Sequence, residues 1–308
     1  MEAPLDADHD AVAEQRQSVL SQAVDISQSL TAAKGIWDEY KLVEPLGSGT
    51  FGVVRSVECR TSSRRYAAKT VRLCEQSKPE MLLASLKHPH ILQLYRILED
   101  GGERHFILDL CTGGDLETWI EDRYDEDFEG KRFYDQPSTS EVFSLAGQML
   151  SAISYMYEMS VVHRDVKPPN WMLASKSLFP SLKLSDFGLA CECGTGEVLK
   201  ERCGSPMYMA PEVFERSYTA LCDVWSTGLV VHDLAVGAPL FQKIPEAQLE
   251  EAVRGQIELT SPGWRYQKPF LKTFVLELLQ READGRPSAS EALQQATQHS
   301  SKCRCVIS

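Results

Sequence analysis

The run Val161 to Asn170 reads VVHRDVKPPN and carries three side chains suited to one reaction. Asp165 can take a proton from a hydroxyl. Lys167 can hold a phosphate, and Asn170 offers a hard amide oxygen. Sixteen residues after Asn170 stands Asp186, in the triplet Asp186-Phe187-Gly188. Asn170 and Asp186 suit magnesium, which takes few protein oxygens and completes its shell with water and phosphate oxygens. These residue types spell phosphate transfer to a hydroxyl.

Other elements must place these groups. Gly47-Ser48-Gly49-Thr50-Phe51-Gly52-Val53-Val54 lies between two strand-like runs, the first being Tyr40 to Leu46. Its glycines let backbone approach a phosphate with no side chain in the way. A GxGxxG alone is weak, since dinucleotide-binding folds also carry it, but there it precedes a helix. Ala67-Ala68-Lys69 falls on the next strand. Ile91 to Leu98 and His105 to Leu110 read as a hairpin closed by Asp100-Gly101-Gly102. Ser140 to Met159 has a helical pattern and delivers the chain to the loop, and Leu182 to Leu184 is a strand leading to Asp186.

GxGxxGxV, AAK, HRDVKPPN, DFG and Gly204-Ser205-Pro206-Met207-Tyr208-Met209-Ala210-Pro211-Glu212, in this order, resemble a eukaryotic serine/threonine protein kinase. The resemblance covers residues 38 to 296. It implies an α+β, two-lobed kinase fold: a small antiparallel sheet lobe with one helix over about 38–110, and a larger, mostly helical lobe over about 111–296. Residues 1–37 are then an N-terminal extension and 297–308 a tail. The IWDEYKLVEPLGSGTFG opening, CTGGDL and CDVWSTGL look most like the calcium/calmodulin-dependent and calcium-dependent kinase group. The sequence has no D-x-D-x-D-G loop of the EF-hand type, so calcium sensing within the chain is not expected.

The resemblance implies ATP and magnesium as cofactors and protein Ser/Thr hydroxyls as acceptors. Lys69 then matches the lysine on the ATP α- and β-phosphates. Leu46, Val54 and Ala67 from one side and Met172 from the other would sandwich adenine. The glycine-rich run Gly47 to Gly52, with Ser48, Thr50 and Phe51, would cover the phosphates. Asp109 and Cys111 match the hinge, whose backbone hydrogen-bonds adenine, and Leu108 would control the back pocket. Asp115 would meet the ribose or a basic substrate side chain. Asp165 and Lys167 would be catalytic, and Asn170 and Asp186 the metal ligands. Ser205 with Lys167 favours Ser/Thr over Tyr as acceptor.

The sequence departs from the family after Lys69. His88-Pro-His90 comes sooner than usual, and Pro79 restricts any helix to a start near Pro79, running through Leu86. Glu80 is then the ion-pair partner of Lys69, with Glu75 the alternative, and both also read as ordinary solvated acids. Pro169 replaces a Glu that helps select basic substrates, leaving that task to Asp115 and Asp233. Glu201 falls where many relatives carry an activating phosphothreonine. A carboxylate there can pair with Arg164, which predicts an activation segment ordered without phosphorylation. Thr195 and Ser205 are the remaining candidate phosphosites. Asp223 matches the acid that holds the catalytic-loop backbone, and Arg286 should pair with Glu212. Trp37 and the later tryptophans read as core.

The bulk numbers fit. At 308 residues with 43% hydrophobic content the chain can bury a real core, and its net charge of -12 disfavours nucleic acid and bare anionic membranes. The nine cysteines lack zinc spacing. With no secretory leader and no apolar run of spanning length, a reducing, cytoplasmic setting is expected. Val12, Val19 and Ile26 recur every seven residues and suit a surface helix that packs on its own domain or binds a partner. Glu2 excludes N-myristoylation. Residues 121–139 read as an acidic, solvated insert or a docking site. The last residues, Cys305-Val306-Ile307-Ser308, form a C-a-a-X box of the farnesyl type. Cys303 is placed for palmitoylation, the second signal a stable anchor needs. Membrane association through this lipid is therefore expected. Two alternatives stand beside an active kinase: a prenylated pseudokinase scaffold, supported by the short segment after Lys69, and a small-molecule kinase, against which the full Gly204 to Glu212 segment argues.

Overall fold

The computed structural model describes residues 31–32, 35–49, 52–73, 79–124, 136–177 and 180–304. Expectations for residues 1–30, Thr50, Phe51, Glu75, most of the acidic insert (125–135) and Cys305 fall outside these. The chain divides into two compact units, Met1–Cys111 with Asp186–Gly188, and Thr112–Ser185 with Leu189–Ser308.

The first unit is built on one sheet. Strand β1 (Thr31–Ala32) precedes a short helix α1 (Ile36–Glu39). Five antiparallel strands follow: β2 (Tyr40–Gly49), β3 (Gly52–Cys59), β4 (Arg65–Arg72), β5 (Leu94–Asp100) and β6 (Glu103–Leu108). The order is β1-β5-β6-β4-β3-β2, with β1 added parallel to the β5 edge. Alternating buried positions give a core of Ile36, Tyr40, Val57, Ala68, Leu98 and Ile107. The β5–β6 hairpin is tighter than expected: only Gly101 and Gly102 separate the strands, with φ of 57° and 83°. Two consecutive left-handed residues are what a two-residue turn demands, and glycine supplies them without strain. Arg96 pairs with Glu39 and holds α1 against β5. Trp37, expected in the core, is 44% exposed. It sits in a helix of a single turn whose inward position is already taken by Ile36.

The second unit is mainly helical. It contains α2 (Leu116–Tyr124), α3 (Thr139–Glu158), α4 (Pro211–Phe214), α5 (Leu221–Val236), α6 (Glu246–Arg254), α7 (Pro269–Leu278) and α8 (Ala289–Arg304). Its short strands pair as β7 (Val161–Val162) with β10 (Cys191–Glu192), and β8 (Trp171–Leu173) with β9 (Leu182–Leu184). α3 begins where sequence demands: Ser138 and Glu141 form a reciprocal capping box. α5 is buried along nearly its whole length, including Asp223, His232 and Asp233, and forms the pillar of this unit. α8 runs on to Arg304, so residues 297–304 are helix rather than free tail; Ser288 and Glu291 cap its start.

Candidate active site

In the first unit, β4 presents Lys69. Its ammonium lies 2.7 Å from Asp186 Oδ1 and 3.1 Å from Glu80 Oε1. Glu80 comes from a 3₁₀ turn, Pro79–Ser85, and not from the α-helix expected through Leu86. The segment has seven residues, the first a proline. It takes the tighter 3₁₀ form throughout. Glu80 is buried, and its Oε2 has no hydrogen-bond partner. The shortened segment thus still delivers a carboxylate to Lys69. Asp186 has φ 58°, a left-handed conformation that is costly for a non-glycine residue.

Around this lysine, Ala67 and Leu108 are buried partners across β4 and β6. Leu46, Gly47 and Ser48 lie on the exposed end of β2, and Gly49 closes that strand. Gly52 and Val54 begin β3, half-buried. Asp109 and Cys111 follow β6, both half-buried.

In the second unit the loop after β7 is fixed by its own polar atoms. Asp223, on α5, accepts the His163 amide at 2.7 Å and the Arg164 amide at 2.9 Å. The His163 ring bridges the Ser185 carbonyl at 2.9 Å and the Asp165 amide at 3.3 Å. Arg164 takes φ 67°, which the two amide bonds to Asp223 enforce. Asn170 donates Nδ2 to the Asp165 carbonyl at 2.8 Å, committing its nitrogen and leaving its amide oxygen for a hard cation. Met172 is half-buried in β8 and forms a bridge with Asp115.

Asp165 is buried and meets three donors: Lys167 Nζ at 2.8 Å, the Ser205 amide at 2.9 Å and Asn170 Nδ2 at 3.2 Å. Burial would raise its carboxyl, but the hydrogen bond and charge of Lys167, helped by Ser205, outweigh that and lower the pKa. It is therefore ionised and able to accept a proton. Lys167 also donates to Ser205 Oγ at 2.7 Å, tying the loop to the activation segment. Gly204 makes that approach feasible: it has φ +102°, and a Cβ there would fall 2.3 Å from the Arg164 carbonyl. Glu201 Oε2 lies 2.9 Å from Arg164 Nη1, while Arg164 Nε donates to the Leu189 carbonyl at 2.7 Å. Arg286 grips Glu212 through two bonds of 2.7 and 3.2 Å.

Asp115 caps α2, accepting from the Thr118 amide at 2.8 Å and its hydroxyl at 3.2 Å, and stays half-buried. One acid does not stand where expected. Asp233 is only 2% exposed and receives the Tyr208 hydroxyl at 2.7 Å, out of reach of any substrate side chain. It lies on the all-round buried face of α5, and its spacing gave no hint of that. Arg202 was not singled out from the sequence. It stacks on Phe214 and meets Glu250 of α6 at 3.3 Å, a second tether of the activation segment.

The protein kinase domain model matches residues 40–297. This chain belongs to the protein kinase family. Among curated proteins it is 31% identical over 266 residues to a calcium/calmodulin-dependent protein kinase type II of Caenorhabditis briggsae, covering 83% of this chain and 48% of that one. It is 30% identical over 274 residues to the protein of the same name from Caenorhabditis elegans, covering 86% of this chain and 36% of that one. The chain thus spans about half or less of the length of these relatives. The family uses ATP and magnesium. Among the described residues no helix is long and apolar enough to cross a membrane.

Proposed function

We propose that this protein transfers the γ-phosphate of ATP to Ser or Thr hydroxyls of protein substrates. The observation that carries the reading is the Asp165–Lys167–Ser205 cluster, in which the Lys167 ammonium lies 2.8 Å from the Asp165 carboxylate and 2.7 Å from the Ser205 hydroxyl, while the Ser205 amide donates to Asp165 at 2.9 Å. The donor set fits the family's cofactors: an amide oxygen on Asn170, a carboxylate on Asp186, and a lysine held between two acids.

ATP with magnesium supplies the phosphoryl group. Lys69, kept in place by Glu80, orients the α- and β-phosphates. Asn170 and Asp186 would hold the metal, as the kinase family implies. Asp165 orients the acceptor hydroxyl and takes its proton, and Lys167 offsets negative charge as it develops. Glu201 holds Arg164 as a phosphothreonine would, so the activation segment is ordered in the unphosphorylated protein. Cys305 carries a farnesyl group, with Cys303 as palmitoyl site, and the lipid places the kinase at a membrane. The support is the Cys-Val-Ile-Ser sequence.

The test is phosphate transfer from ATP-magnesium to a mixed Ser/Thr peptide library by the unphosphorylated protein, beside Asp165→Asn and Glu201→Gln. The parent should transfer, Asp165→Asn should be slower by about 10³-fold, and Glu201→Gln by about fivefold, the gap to the parent narrowing at high salt, which screens the Glu201–Arg164 pair. A parent that binds ATP and transfers nothing would sink the reading. Intact mass after incubation with farnesyl diphosphate and a prenyltransferase, against Cys305→Ser, tests the lipid.

A further inference from the structure

Within the first unit, a chain of side chains runs from the turn before β4 to the strand end that would face adenine. The Arg64 guanidinium lies over the rings of Tyr66 and Tyr95, at 5.2 and 5.1 Å, and donates to the Tyr95 hydroxyl at 3.0 Å. The two rings meet edge to face at 5.1 Å, and Tyr40 packs on Tyr66 in the same manner at 6.1 Å. The Tyr95 hydroxyl donates to Asp109 Oδ1 at 2.8 Å. The other carboxylate oxygen accepts the Gln93 amide at 3.1 Å, and the Asp109 amide donates to the Gln93 carbonyl at 3.1 Å. Asp109 is thus fastened through both side-chain oxygens and its own backbone, all to β5 and the residues leading into it. Burial, then the Asp109 bond, raises the Tyr95 phenol, so it stays protonated and remains the donor.

We propose that Tyr95 is a positioning residue for the nucleotide: through Asp109 it fixes the backbone from Asp109 to Cys111 in the conformation that receives adenine. This rests on the kinase reading above. Removing the hydroxyl leaves the ring stack intact but takes the Tyr95 bond from Asp109, and binding must then reorder the hinge peptide. That cost falls on nucleotide affinity and not on the chemical step. The arrangement also explains why an acidic side chain stands at a position where only backbone groups were expected to matter.

The experiment compares the parent with Tyr95→Phe, Asp109→Ala and the double variant, using titration calorimetry with ATP and steady-state kinetics. Tyr95→Phe should weaken ATP binding about fivefold, the size of a typical net hydrogen bond. KM for ATP should rise alike, with kcat at saturating ATP within about twofold of the parent. The double variant should bind ATP no more weakly than Asp109→Ala alone, because the two groups act as one unit. A lowered melting temperature with parental ATP affinity would assign Tyr95 a structural role and overturn the proposal alone. Additive losses in the double variant would also overturn it. A parent that binds no ATP would overturn the nucleotide reading and this proposal with it.

Discussion

Asp165 and Glu80 are two buried acids beside two lysines, and the protein holds them in different ways. The loop carrying Asp165 is fastened at several points: Asp223 takes two of its amides, His163 bridges Ser185 and Asp165, and Asn170 and Lys167 close on the carboxylate. Glu80 sits in a seven-residue 3₁₀ turn and meets Lys69 through one oxygen, its other oxygen buried without a partner. The contrast teaches where damage should appear. A loop with many anchors is part of the folding unit, so loss of an anchor costs stability. An acid with one contact is outside that network, so its loss costs activity and little else.

The largest effect should come from Asp223→Ala. Two buried amides lose their acceptor, and each unsatisfied group costs about 1–3 kcal/mol, so denaturation should show a loss of about 3 kcal/mol or more. A loss below about 1 kcal/mol would mean that the loop does not depend on this anchor, and the comparison would fail on that side. Glu80→Gln should do the opposite. It removes the charge facing Lys69 and leaves an amide of the same shape, so kcat/KM should fall about tenfold while the melting temperature moves by less than about 2 °C. Loss of stability equal to that of Asp223→Ala would erase the contrast.

The smallest effect sharpens the comparison through pH. His105 is buried beside Thr70 on β6, next to the strand carrying Lys69, and burial lowers its pKa below 6.5. Between its folded pKa and 6.5 the unfolded chain takes up a proton that the folded chain refuses. Stability from this group is therefore full above about 6.5 and falls as pH drops through that window. The Asp165 carboxyl is shifted to lower pKa and keeps its charge there. Hydrogen exchange between pH 7 and 5 should thus show β4 and β6 amides losing protection before those of the catalytic loop, and His105→Gln should flatten the trend. Equal loss in both regions would count against it.

Much of the second unit was legible in the sequence because its chemistry is written in short, ordered motifs. The roles expected of Asp165, Lys167, Asn170 and the Glu212–Arg286 pair came from the resemblance of those motifs to a protein kinase. Gly204 could be read as special from its place before Ser205, though only the 2.3 Å approach to the Arg164 carbonyl gives the reason. The rest depends on what packs against what. Asp233 was read as surface because helix spacing does not reveal that α5 is surrounded on every side. Trp37 was read as core because size and hydrophobicity do not say which residue of a one-turn helix faces inward. Tyr95 and Asp109 are fourteen residues apart, and only the fold of the hairpin brings them together.

The Glu201–Arg164 pair has a consequence beyond geometry. A phosphothreonine in such a place is written by one enzyme and erased by another, so the occupancy of the bond carries information about the cell. A glutamate is written once, at translation, and no phosphatase removes it. Its single charge is also smaller than the roughly −1.5 to −2 of a phosphate, so the bond is weaker but constant. A protein that keeps this contact by heredity has surrendered it as a signal.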